Sequence, residues 1–86
     1  MIQLKEEKIE KIVSCDGTQT VESIISSTII EMQDEGVMND IIMEFIQEFE
    51  LSLMLHENNR ESAEELNNIK HAREILMNKI LNGIEA

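Results

Sequence analysis

The chain has 86 residues, 42% hydrophobic and 29% charged, a length that allows one small domain and excludes a two-domain enzyme. Seven Lys and Arg stand against eighteen Asp and Glu, and the formal net charge of -11 excludes unaided attraction to nucleic-acid phosphates or anionic lipid. Two Phe with no Trp or Tyr offer no platform on which bases could stack, so the core must be aliphatic and the favoured partners are basic proteins.

One Cys cannot form an internal disulfide, and Met1 leads into the charged run Lys5-Glu6-Glu7-Lys8 rather than an apolar signal core. No apolar run approaches the roughly eighteen residues that a membrane span needs. The expected setting is a reduced cytoplasm, away from membranes.

Proline is absent and Gly occurs only at 17, 36 and 83, so these glycines punctuate a chain that otherwise reads as helix. In the first twenty residues Ile9, Ile12 and Val13 share one helix face, while Asp16-Gly17, between Ile12-Val13-Ser14-Cys15 and Thr18-Gln19-Thr20-Val21, is also a hairpin signal. A lone hairpin is marginal and strict alternation is missing, so helix leads and the hairpin stays open as the alternative. A second helix is expected from a Thr20 cap, through Val21, Ile24, Ile25, Thr28, Ile29 and Met32, to a stop at Gly36.

Asn39 or Asp40 can cap a third helix. There Ile42, Phe45, Ile46, Phe49 and Leu53 trace one stripe, and Ile41, Met43, Leu51, Met54 and Leu55 fall outside it. Apolar on more than one face, this helix is expected to be central. The polar run His56-Glu57-Asn58-Asn59-Arg60 reads as a turn, and Ser62-Ala63-Glu64-Glu65 then matches a capping box. Leu66, Ile69, Ala72, Leu76 and Ile80 follow at helical spacing, with Lys79 in the last turn and Gly83 as the stop.

These elements predict one all-α domain over residues 1–86, a small three- or four-helix bundle, with an N-terminal β-hairpin as the alternative to its first helix. A chain this short buries only about 60–65% of its unfolded surface. The third helix offers more apolar positions than one thin bundle covers, so a homodimer pairing helix three or four with its copy is expected, with a groove for another protein as the alternative.

The acid is regional. Residues 21–59 hold Glu22, Glu31, Asp34, Glu35, Asp40, Glu44, Glu48, Glu50 and Glu57 with no Lys or Arg, whereas both ends are nearly neutral. Asp40, Glu44 and Glu48 are spaced i, i+4, i+8, which lines three carboxylates along one helix face about 6 Å apart, a spacing like that of phosphates on a nucleic-acid strand. Such like-charge neighbours cost a few tenths of a kcal/mol per pair. One reading is a solvated face, partly neutralised from within by Lys5, Lys8, Lys11 or Arg73. The other makes Glu31, Asp34, Glu35, Asp40, Glu44 and Glu48 a partner-binding surface that docks on a basic groove and excludes nucleic acid from it.

The remaining residues carry no recognisable catalytic or metal-binding pattern. His56 and His71 lack a Glu three residues earlier, so the helical di-metal pattern is missing. Asp34, Asn39 and Asp40 do not reproduce a calcium loop. Cys15 beside Asp16 reads as a small apolar residue rather than a nucleophile, and the isolated glycines make no phosphate loop. Met32, Met38, Met43, Met54 and Met77 suit core filling or an adaptable interface. No catalytic residue, metal or cofactor is expected.

In composition alone the chain is similar to the small acidic helical accessory proteins of bacteriophages and mobile elements, among them inhibitors of host defence nucleases. The expected function is therefore non-enzymatic: inhibition of a nucleic-acid-binding host enzyme by mimicry of its ligand, without direct contact to nucleic acid. The rival is a structural or adaptor subunit, such as a small transcription accessory protein, that works through its apolar helix face. The dimer is open to sedimentation at tens of micromolar: a species of twice the chain mass is expected, and a single species at 9.9 kDa would exclude it.

Overall fold

A computed structural model describes residues 2–59 and 62–84, with side chains from residue 6 onward. Four helices follow one another: α1 (Ile2–Ser14), α2 (Thr18–Asp34), α3 (Asn39–Asn58) and α4 (Ala63–Asn82). The described residues contain no strand. The N-terminal segment is therefore helical, and Asp16-Gly17 forms a bend between helices rather than the turn of a hairpin.

The first boundary differs from expectation. Val21 N–H donates to the Gly17 carbonyl at 3.2 Å, so α2 begins before Thr20, which lies exposed within the first turn and caps nothing. The far end is as read. Gly36, at φ 81°, donates to the Gln33 carbonyl, and Val37 donates across it to Met32, both at 3.0 Å. This paired closure requires a left-handed residue after the helix, which glycine adopts without the Cβ penalty.

At the start of α3 neither Asn39 nor Asp40 is the cap. The extended residue is Met38, whose carbonyl accepts from both Ile41 and Ile42 N–H at 3.0 Å. Asp40 instead lies in the first turn, where its charge suits the positive end of the helix dipole. The helix also runs through Asn58, so residues 56–58 are helical rather than a turn, and the chain turns only at Asn59. Intrahelical bonding of the backbone outweighs the polarity of the local sequence there; Arg60 lies outside the described residues. The Ser62 cap of α4 is present, its Oγ accepting from Glu65 N–H at 3.5 Å, and Gly83 closes that helix with a 2.8 Å bond to the Lys79 carbonyl.

The core unites the predicted stripes: Ile9, Ile12 and Val13 from α1, Val21, Ile25, Ile29 and Met32 from α2, Ile42, Phe45, Ile46, Phe49 and Leu53 from α3, and Ile69, Ala72 and Leu76 from α4. Phe45 and Phe49 meet edge to face, with ring centroids 5.5 Å apart. The central helix is α4, not α3. It packs on each of the other three, most extensively on α3, whereas α3 approaches α1 and α2 less closely, meeting α2 through Phe45, Ile46 and Phe49 against Ile25 and Ile29. Ala72, in the middle of its buried stripe, is small enough to permit close approach of neighbouring helices.

One buried polar contact ties the corner between α1 and α2. Asn68 of α4 donates to the Val13 and Cys15 carbonyls at 3.4 and 3.0 Å, satisfying backbone acceptors that the end of α1 leaves without helical partners. Replacing Asn68 with Leu should therefore cost about 1–3 kcal/mol through those orphaned carbonyls. Phe45→Ala and Phe49→Ala should each cost roughly 3–5 kcal/mol, since each removes a buried ring from a close-packed core. Denaturant titration measures all three, and losses below about 1 kcal/mol for the Phe variants would place the rings outside the core.

Candidate functional site

The outer face of α3 carries the acidic row. Asp40, Glu44 and Glu48 are all exposed, because Ile42, Phe45, Ile46, Phe49 and Leu53 turn the opposite face inward. No cation among the described residues forms an ion pair with any of the three. The cations named as neutralisers are engaged elsewhere or unconnected to the row: Lys8 pairs with Glu31 at 3.7 Å, Arg73 pairs with Glu50 and Glu57, and Lys11 makes no ion pair among the described residues. The side chain of Lys5 lies outside the described residues.

The other predicted site residues are less uniform. Asp34 and Glu35 are exposed at the C-terminal end of α2, and the first α3 carboxylate follows after the Gly36 turn. Negative charge is unfavourable at the negative end of a helix dipole, and no base stands in that last turn to offset it. Glu31 is drawn toward α1 by Lys8, so it stands apart from the α3 row.

The row does not end in polar residues. Glu48, Leu51 and Leu55 follow at three- and four-residue steps, so the same face passes from acid to apolar over about 22 Å of helix. Leu51 is 55% exposed, Leu55 61%, and Ile41, beside the acids, 44%. Of the five methionines read as filling, Met32 is buried, Met43 and Met54 are half-buried, and Met38 and Met77 are exposed.

Arg73, one of the cations expected to neutralise the acidic segment from within, does so in an ionic cluster between α3 and α4, whose buried partner Glu50 the sequence reading did not single out. Glu50 is only 6% exposed, although it belongs to the same acidic segment. Its Oε1 accepts from Arg73 Nη2 at 3.4 Å, while Arg73 Nη1 donates to Glu57 Oε2 at 2.8 Å. The bond to Glu57, with the charges of both carboxylates, raises the Arg73 pKa further above its already high ordinary value. The sequence signal for the burial of Glu50 was its position directly after Phe49, at the margin of the apolar stripe.

The remaining candidates have structural partners. His71 Nε2 meets Glu22 Oε1 at 3.1 Å across α4 and α2. Cys15 is half-buried, and its thiol donates to the Ile12 carbonyl at 3.1 Å, closing the last turn of α1 rather than facing an activating base. Among the described residues no group of three His, Cys, Asp or Glu could hold a metal ion, and no helix is long and apolar enough to cross a membrane.

Arg73→Ala leaves Glu50 buried without its cation and should destabilise the fold by about 2–3 kcal/mol, the low end for a broken buried pair because Arg73 is partly exposed. Adding Glu50→Gln should recover part of that loss, and a double-mutant cycle by denaturant titration measures the coupling. Full additivity of the two substitutions would show that the pair contributes nothing.

No family model, no curated protein and no solved structure matches this chain.

Proposed function

We propose that the protein is a non-enzymatic inhibitor that lays the outer face of α3 on the basic, nucleic-acid-binding surface of an enzyme in a reduced cytoplasm. The observation that carries this reading is the row Asp40, Glu44 and Glu48: exposed, on one helix face, in a 39-residue segment with no Lys or Arg, and without an ion pair among the described residues. Their spacing of about 6 Å lets carboxylates take the places of successive phosphates. Long-range attraction between the acidic face and the basic groove then raises the rate of encounter. Asp34 and Glu35 widen the negative field beyond the start of α3, and Glu31 contributes to it less because Lys8 offsets its charge. The contact is with protein, not with nucleic acid or membrane.

A second reading rests on Ile41, Leu51 and Leu55, which the same face exposes. On it the protein is an adaptor subunit whose apolar contact does the binding and whose acid keeps it dispersed. Salt separates the two, because docking steered by charge weakens with ionic strength and apolar docking does not. Homodimerisation is proposed through α4, where Met77 and Leu81 are exposed, since two copies of the acidic α3 face repel each other.

The experiment is to replace Asp40, Glu44 and Glu48 together with Lys. Like-charge spacing within the helix is unchanged, and a Lys in place of Asp40 at the positive end of the dipole costs only about 1–2 kcal/mol, so circular dichroism should report an intact fold while the surface potential reverses. Affinity for a partner isolated by pull-down, with nucleic acid digested away, should be abolished, and Asn and Gln at the same positions should give an intermediate loss. Full affinity in the reversed variant would remove the mimic and leave the adaptor.

A further inference from the structure

Two chains that each carry a net charge of -11 pair most favourably through a surface on which acid does not face acid. α2 and α3 hold eight acids and no Lys or Arg, whereas in α4 three acids are balanced by three bases. α1 is balanced as well, but its described side chains include no exposed large apolar residue, and α4 exposes Met77 and Leu81. The outward stripe of α4 is Ala63, Asn67, Lys70, Glu74, Met77 and Leu81, all six exposed. Its steps alternate between four and three residues, the spacing that keeps a seam turned toward one partner helix, here over about 27 Å. Lys70 and Glu74 stand one turn apart, yet neither makes an ion pair among the described residues. Lys before Glu is the less favourable order for pairing within a helix, which leaves both charges to a neighbour.

We propose that a second copy of the chain covers this stripe, its α4 antiparallel to the first across a two-fold axis at the level of Ala72, so that Lys70 of each copy faces Glu74 of the other. In that register Asn67 faces Met77 and Ala63 faces Leu81, so every member of the stripe has a counterpart. The axis then falls at the middle of the 20-residue helix, and the two copies overlap along nearly all of it. Charge requires the antiparallel order, because a parallel pair would set Lys70 on Lys70 and Glu74 on Glu74. Two symmetry-related ion pairs lie at the centre, flanked on either side by Met77 and Leu81, which draw them partly out of water. The inference rests on the pairing through α4 proposed above, and adds its register and the residues that set it. Asp40, Glu44 and Glu48 take no part in the contact and stay open to the basic partner.

Sedimentation equilibrium of the full chain between about 10 and 300 micromolar reads the dimer directly. Lys70→Glu and Glu74→Lys should each raise the dimer dissociation constant about tenfold or more, because either one sets two like-charged pairs across the axis. The chain that carries both substitutions should return to within about threefold of the parent value, since the exchange keeps each facing pair opposite in sign. An equal mixture of the two single variants should form a mixed dimer, detected by native mass spectrometry, because one seam is then acidic at both positions and the other basic. A folding defect in either chain would not give that recovery. Glu7→Lys, the same charge change as Glu74→Lys but on α1, should leave the constant within about twofold. A dimer that neither reversal weakens, or that the exchange and the mixture fail to restore, overturns the seam and leaves pairing to another face. A single species of the chain mass at every concentration overturns the seam and the pairing together. Docking of α3 on a basic partner fails separately, by unchanged partner affinity in the reversed row.

Discussion

The structure depends on α4 being buried by three neighbours at once. Its inward stripe is narrow, Ile69, Ala72 and Leu76, and each flank of that stripe carries a polar group that ties down a different helix. Asn68 holds the carbonyls that end α1, His71 meets Glu22 on α2, and Arg73 holds Glu50 and Glu57 on α3. Packing of apolar side chains supplies most of the free energy but little directional information, whereas these polar contacts have defined geometry and fix which helix lies on which side.

With α4 at the centre, α3 becomes a peripheral helix. Its inner stripe, with the two Phe rings in contact, is enough to hold it in place, so its outer face is released from the demands of folding. That face is not arranged for stability. Carboxylates repeat at i, i+4 without an intervening base and leucines are left in water, while beside the start of α3 Asp34 and Glu35 stand at the negative end of α2. Each is a local cost that the core does not require, and the proposed docking of this surface on a basic partner would account for their occurring together.

The ionic cluster fastens α3 to α4, with Arg73 bonded to both Glu50 and Glu57. A pair chosen for stability alone would be better replaced by apolar side chains of similar volume, since burying charge carries a desolvation cost that such replacement avoids.

Much of the helical framework was legible because periodicity reports which face of a helix is buried. Ile42 to Leu53, Ile69 to Leu76, the Gly36 stop, the Ser62 cap and the Gly83 stop all carry signals within a few residues of themselves. The helix starts near Thr20 and Asn39 were misread because a side chain able to cap does so only if the backbone before it leaves the helix, and that depends on how tightly the chain must turn to bring Val21 and Ile42 into the core. The acidic row was visible for the same local reason as the stripes. What the sequence by itself determined, then, is three amphipathic helices and a regional excess of acid, with the first twenty residues open between helix and hairpin. Only the tertiary structure decided that α4 is central, that Asn68 seals α1 across 55 residues and that Glu50 leaves the solvated acids for Arg73, 23 residues away. A pattern along the chain records the direction a side chain takes from its own helix, whereas its partner is set by how separate helices are brought together.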